Sequence, residues 1–207
     1  MDWEEKLIKA VRETMQGFWP GHDFFHIQRV YNLCLKLGKK LNADLEILKA
    51  AALLHDVAYM QEKEGKVRDH AEKSAEIAKS LLLEVGFPKE KIESVVYAIK
   101  IHGFRKQIKP KTLEAKILQD ADRLDAIGAI GIARCFVDSG LRNQILWDPK
   151  VKPKKAYDKS HSAINHFYEK LLKIKDQLNL KESQKLAEKK HRFMLQFLDE
   201  FYKEWKL

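Results

Sequence analysis

Apolar residues recur along this chain at helical spacing, and alternation of the kind that marks a half-buried strand is scarce. Trp3, Leu7, Ile8, Val11 and Met15 fall on one side of a helix over residues 2–16, which the run Trp19-Pro20-Gly21 ends. Asp23 reads as the N-cap of a second helix, carried by Val30, Tyr31, Leu33, Cys34 and Leu37 as far as Gly38. Asp44 caps a third helix. Its run Ala50-Ala51-Ala52-Leu53-Leu54 predicts a buried element that continues to about Tyr59. A charged loop over 61–68 follows. Asp69, with Glu72 three residues on, has the spacing of a capping box, and its helix stops at Gly86. Pro88 opens the next helix at a position where its missing N–H is harmless, and that helix ends at His102-Gly103. Beyond a basic loop, Arg105 to Lys111, Thr112 caps a long helix through Gly131. Its two glycines, Gly128 and Gly131, predict the close approach of a neighbouring helix or a ligand. Residues 138–160 read as a surface loop or lid. Helices over 161–178 and 182–206 close the chain.

The pattern is that of an all-α protein, and 207 residues suffice for one domain spanning the chain. Hydrophobic residues make up 45% and charged residues 33%, which excludes a disordered chain. No apolar run approaches the ~20 residues needed to span a bilayer, and the acidic start, Met1-Asp2-Trp3-Glu4-Glu5, is unlike a signal peptide. Both features predict a cytoplasmic protein with no membrane partner. Cys34 and Cys135 lie far apart and read as reduced core residues. The net charge of +9 points weakly to an anionic partner.

Chemistry enters where polar residues interrupt apolar runs. His55 and Asp56 follow the Ala/Leu run directly, and burying either alone is costly. His26 sits in the first turn of its helix, and Asp122 lies among Leu118, Ala121, Leu124 and Ile127. A divalent metal held by His26, His55, Asp56 and Asp122 would give all four a reason to be buried. Two imidazoles and two carboxylates suit Mn, Fe, Ni, Co or Zn better than Ca. Asp125 shares a helix face with Asp122 and could orient a ligand or water, so it joins His55 and Asp56 as a catalytic candidate. Asp120 lies on the far side of that helix and reads as solvated, and Asp23 reads as a cap.

The segments His26-Ile27-Gln28-Arg29-Val30, Leu53-Leu54-His55-Asp56-Val57 and Gln119-Asp120-Ala121-Asp122-Arg123-Leu124-Asp125 carry an ordered H…HD…D signature. In this the chain resembles the HD superfamily of metal-dependent phosphohydrolases, in particular its small stand-alone bacterial and archaeal members. The resemblance implies a helical bundle of the HD-domain type, with a metal-binding core over about residues 20–137 and C-terminal helices over 161–206 packed on it. It implies the metal ligands His26, His55, Asp56 and Asp122. His70 and His102 stand where some relatives bind a second metal, and could equally contact phosphate. One or two divalent ions per chain follow, with Mg as a further candidate.

The activity implied is hydrolysis of a phosphate ester or anhydride, most of all in a nucleotide, including release of pyrophosphate from a nucleoside triphosphate. Arg29, one turn after His26, is a candidate for substrate binding, as are Arg105 and Arg123. Lys100, Lys106 and the lysines at 152–159 are candidates for a polyphosphate tail. Two other readings compete. One is a non-catalytic helical module that binds nucleic acid through its basic surface, although the lysines are dispersed and no aromatic platform is interleaved with them. The other is a redox di-metal enzyme on the same scaffold.

Overall fold

The computed structural model describes residues 2–15, 19–106, 108–154 and 160–206. Among them no strand occurs, and the one extended pairing is an isolated bridge between Ile145 and Ser162. The all-α expectation holds. No helix is long and apolar enough to cross a membrane. The backbone divides into two compact units, Met1–Asp122 and Arg123–Leu207.

The first unit contains α1 (Trp3–Thr14), α2 (Phe24–Leu41), α3 (Leu45–Leu54), α4 (Tyr59–Lys63), α5 (His70–Val85), α6 (Ile92–Ile101) and most of α7 (Leu113–Asp125). Four aspartates begin helices, three of them, Asp23, Asp44 and Asp69, as residue type and spacing predict. Asp2, Asp23, Asp44 and Asp69 each accept a backbone N–H from the first turn, a contribution of about 1 kcal/mol apiece. Helix α3 packs between α2 and α6, and α5 packs on α6. The interior is built from Ile27, Val30, Leu48, Leu54, Ile99 and Leu118, all fully buried.

Helix α3 stops at Leu54, five residues earlier than its apolar pattern suggests. His55 to Ala58 form a turn, in which Tyr59 N–H donates to the Asp56 carbonyl (2.9 Å) and Ala58 N–H donates to Ser74 Oγ on α5 (3.1 Å). The hydroxyl from another helix replaces the helical bond that the turn gives up. Val57, Ala58 and Tyr59 are nonetheless buried, so the apolar pattern runs straight through the break. The charged stretch that follows is not all loop either, because Gln61 to Lys63 complete α4.

The long helix expected from Thr112 to Gly131 is two helices. Helix α7 ends at Asp125, and α8 (Gly128–Leu141) starts at a glycine with φ of +77°. A Cβ on Gly131 would overlap the Ala126 carbonyl oxygen, so the break needs both glycines. Gly128 also meets Lys190 of α10, which is the close helix approach that its composition suggested. Asp120, expected to be solvated, is fully buried. Residues around the whole girth of α7, among them Leu118, Gln119, Ala121 and Leu124, are buried with it.

The second unit continues with α9 (Ala163–Glu169), a 3-10 stretch Leu171–Gln177 and α10 (Lys181–Trp205). Helix α8 takes in residues 138–141, which the sequence pattern assigned to a loop. The segment after it is tied down. Ala163 and Ile164 N–H donate to the Ile145 and Leu146 carbonyls, and Trp147 packs on Phe201, Tyr202 and Trp205. Glu169, 2% exposed, accepts Lys154 N–H (2.8 Å) on one oxygen and Ser160 Oγ–H (2.6 Å) on the other. Residues 155–159 lie outside the described set. Cys34 and Cys135 are buried free thiols, as expected.

Gly131→Ala is expected to destabilise the protein by about 1–3 kcal/mol through overlap with fixed backbone. Gly140→Ala, with open space around its Cβ in the exposed last turn of α8, should stabilise it by about 0.5–1 kcal/mol. Urea unfolding reads both. His166 lies against Ser160 Oγ (3.2 Å), and burial, reinforced by Lys170, pushes its pKa down to about 3. The unfolded chain takes up the proton near 6.5, so the contribution of neutral His166 is complete above that pH and is lost as pH falls toward 3. Between pH 7.5 and 5 the wild type should lose on the order of 1–2 kcal/mol through this group. His166→Gln should show a correspondingly flatter acid limb in urea titrations.

Candidate metal centre

The buried turn after α3 is what brings His55 and Asp56 to one point. On a continuous helix, neighbouring residues point in different directions. In the turn, His55 Nε2 lies 3.7 Å from Asp56 Oδ2. The Asp23 cap accepts the N–H of His26 (3.0 Å), which sets His26 in the first turn of α2. Its Nε2 is 3.3 Å from His55 Nε2, 3.5 Å from Asp56 Oδ2 and 3.6 Å from Asp122 Oδ1. The structure therefore brings His26, His55, Asp56 and Asp122 together from three elements, α2, the turn after α3 and α7. His26, His55 and Asp56 are buried, and the Asp122 side chain is 24% exposed.

Asp56 is the hub, and its two oxygens face different partners. Oδ2 meets His26, His55 and His22 Nδ1 (3.2 Å), while Oδ1 meets His70 Nε2 (3.3 Å) and His102 Nε2 (3.4 Å). Among the described residues, three overlapping groups have ligand atoms close enough to share an ion: His22, His26 and Asp56; His26, His55 and Asp122; and His55, Asp56 and His102.

The donor chemistry fits a cation. His55 Nδ1 is 2.8 Å from the Ala52 carbonyl and His102 Nδ1 is 2.7 Å from the Ile99 carbonyl. A carbonyl can only accept, so both Nδ1 atoms carry protons, and in the neutral rings both Nε2 atoms present lone pairs to the centre. Burial, with the neighbouring His102 and His26 adding to it, drives the pKa of His55 down to about 4 and holds it neutral. Asp56 and Asp122 are both held below the ordinary carboxylate range. Burial opposes this, but the attraction of the surrounding imidazoles outweighs it. Lone pairs and carboxylates so crowded call for a positive charge between them.

His70 is set differently. Its ring donates through Nδ1 to Glu62 Oε2 (2.6 Å), and Glu62 also accepts the His70 backbone N–H (2.8 Å). Burial works against a charge on this ring, but its hydrogen bonds to Asp56 and Glu62 outweigh that and raise its pKa to about 10. Tyr59 stands between the two arms of the site, stacked on His22 and edge-on to His70.

Arg29 is half-buried on α2, one turn after His26. The side chain of Arg105 lies outside the described residues. Arg123 is buried and donates to the Gln177 carbonyl (2.7 Å). Asp125 is buried in an ion pair with Arg134 (2.6 Å). Lys106 pairs with Asp69 and Glu72, and Lys100 with Glu72. Sequence reasoning missed His22 and Glu62. The spacing His22-x-x-x-His26 was the one available signal for the first, but His22 precedes the helix, where periodicity says nothing. Glu62 lay in a stretch that read as charged loop.

A helical unit with such a histidine–aspartate centre defines a metal-dependent hydrolase of the HD class. The model of the HD domain matches residues 24–127, and the chain belongs to that family. It is 38% identical over 204 residues to YpgQ of Bacillus subtilis (strain 168), covering 97% of this chain and 92% of that one. A crystal structure of YpgQ in complex with ADP superposes with a TM-score of 0.75 at 34% identity, over 98% and 94% of the two chains. A Lactobacillus plantarum protein superposes with a TM-score of 0.83 at 31% identity, covering 99% and 97%. A Bacillus thuringiensis HD-superfamily hydrolase does so with 0.78 at 36% identity, covering 98% and 96%.

Asp125→Ala is expected to cost about 3 kcal/mol by leaving Arg134 without its buried carboxylate. The double variant with Arg134→Ala should cost less than the two single losses added together, which urea unfolding of the full cycle would read.

Proposed function

We propose that this hydrolase cleaves a phosphoanhydride bond in a nucleotide, with pyrophosphate release from a nucleoside triphosphate as the favoured reaction. The observation that carries the reading is the Asp56 carboxylate, ringed on both oxygens by imidazole nitrogens within 3.7 Å. The YpgQ structure with ADP supports a nucleotide as the class of substrate. The net charge of +9 is compatible with an anionic one.

His26, His55, Asp56 and Asp122 would hold a divalent ion, of which Mn, Fe, Ni, Co, Zn and Mg are the candidates. When bound, such an ion supplies Lewis acidity toward water and phosphoryl oxygens. The remaining residues bind and orient. The Ala52 and Ile99 carbonyls keep His55 and His102 turned with Nε2 inward. His70 and His102, on the Oδ1 side of Asp56, form a second arm for a second cation or for phosphate oxygens. Arg29, one turn after His26 on α2, would neutralise phosphate charge, and Arg105 is a further candidate for that role. Membership in a hydrolase family favours this reading over the nucleic-acid-binding module.

The test is a screen of nucleoside tri-, di- and monophosphates and simple phosphate esters with Mn, Mg, Ni and Co, with products identified by mass. Pyrophosphate with the matching monophosphate is expected. Orthophosphate from every substrate would overturn the assignment of the bond. His55→Ala and Asp56→Ala should each lower activity on the order of 100-fold or more while helical circular dichroism is retained. Chelation should abolish turnover, and added Mn should restore it.

A further inference from the structure

We propose that Glu62 is a positioning residue for the reaction, holding the His70 ring in one orientation, with a proton kept on Nδ1 and Nε2 turned toward Asp56. The inference rests on the reading of the Asp56 centre as the hydrolytic site. A single oxygen, Glu62 Oε2, accepts from both His70 Nδ1 (2.6 Å) and the His70 backbone N–H (2.8 Å). One contact fixes the ring and the other fixes the backbone that carries it. Asp69 Oδ1 takes the next two amides of α5, those of Ala71 and Glu72. The first turn of α5 is thus tied by two carboxylates, one from its own cap and one from α4.

His70 differs in this from its neighbours. His55 and His102 lean on main-chain carbonyls three residues back, whereas His70 leans on a side chain from a separate short helix. Its Nε2 shares Asp56 Oδ1 with His102, at 3.3 Å and 3.4 Å. The Tyr59 ring, edge-on at 5.4 Å, fills the space beside it. Glu62 and His70 side chains are 20% and 19% exposed, so water competes little for the bond. A carboxylate behind an imidazole fixes its tautomer and raises its basicity, and loss of such a partner typically costs 10–100-fold in metal affinity or activity.

The alternative is that Glu62 only staples α4 to α5. Four variants of the full chain separate the two: Glu62→Gln, Glu62→Ala, His70→Ala and the double Glu62→Ala/His70→Ala. Kinetics would use ATP and dATP with Mn. Glu62→Ala should lower kcat by about 10–100-fold with KM within about threefold. Glu62→Gln should recover most of that loss, because its amide oxygen can accept both N–H groups. The double variant should be no slower than His70→Ala. A second readout needs no turnover: a proton–nitrogen correlation spectrum of the protein without added metal. The His70 Nδ1–H signal, assigned by its absence in His70→Ala, should be present in wild type and in Glu62→Gln and be lost in Glu62→Ala. Survival of that signal in Glu62→Ala would overturn the proposal. So would an equal further loss of kcat when Glu62→Ala is added to His70→Ala. A wild type inert toward both nucleotides would instead refute the nucleotide reading, and the His70 signal would still decide the role of Glu62.

Discussion

Asp56 is a carboxylate with almost no access to water and with imidazole nitrogens on both of its oxygens. An isolated charge in such a place would be prohibitive, and much of the first unit can be understood as the means of making it tolerable. The turn after α3 presents it, the Asp23 cap sets His26 against it, and α5 and α6 bring His70 and His102 to its other edge. The apolar run Ala50 to Leu54 matters because it makes the carrier rigid. A site of this kind tolerates little displacement of its members, and fully buried helices supply the required precision.

The two edges of Asp56 are unlike. On the Oδ2 side are two rings held close to each other and to Asp122, with His55 kept neutral by burial. On the Oδ1 side, His70 is flanked by carboxylates and is the ring that favours a positive charge. A neutral His55 on one side and a more basic His70 on the other is the separation a centre needs if it is to bind a cation and handle phosphate oxygens at once. A metal or a phosphate on the second side would meet the same two imidazoles, His70 and His102.

Much of this was legible in the sequence, for reasons that can be named. The candidate ligands His26, His55, Asp56 and Asp122 stand out because polar residues in apolar helical runs require partners. The caps at Asp23, Asp44 and Asp69 follow from residue type and spacing. The breaks were not legible. Residues 57–59 stay buried through the turn at His55, so periodicity had nothing to register, and the amide that the turn leaves over is taken by Ser74, sixteen residues on. At Gly128, a positive φ and the packing of Lys190 decide the break, and both are tertiary facts. Asp125 was misleading in another way. It shares a helix face with Asp122, but a half-buried arginine, Arg134, pairs with it. His22 and Glu62 escaped because a loop and a five-residue helix carry no period.

The supports behind the histidines also differ in how they respond to mutation. The carbonyls of Ala52 and Ile99 belong to the main chain, and no substitution at those positions deletes the atom. Glu62 is encoded as a side chain, and one codon change removes it. Drift can therefore leave His55 and His102 oriented over long divergence, while the backing of His70 is open to selection. Within this architecture, position 62 is where a lineage could adjust the basicity of one imidazole without disturbing the set that surrounds Asp56.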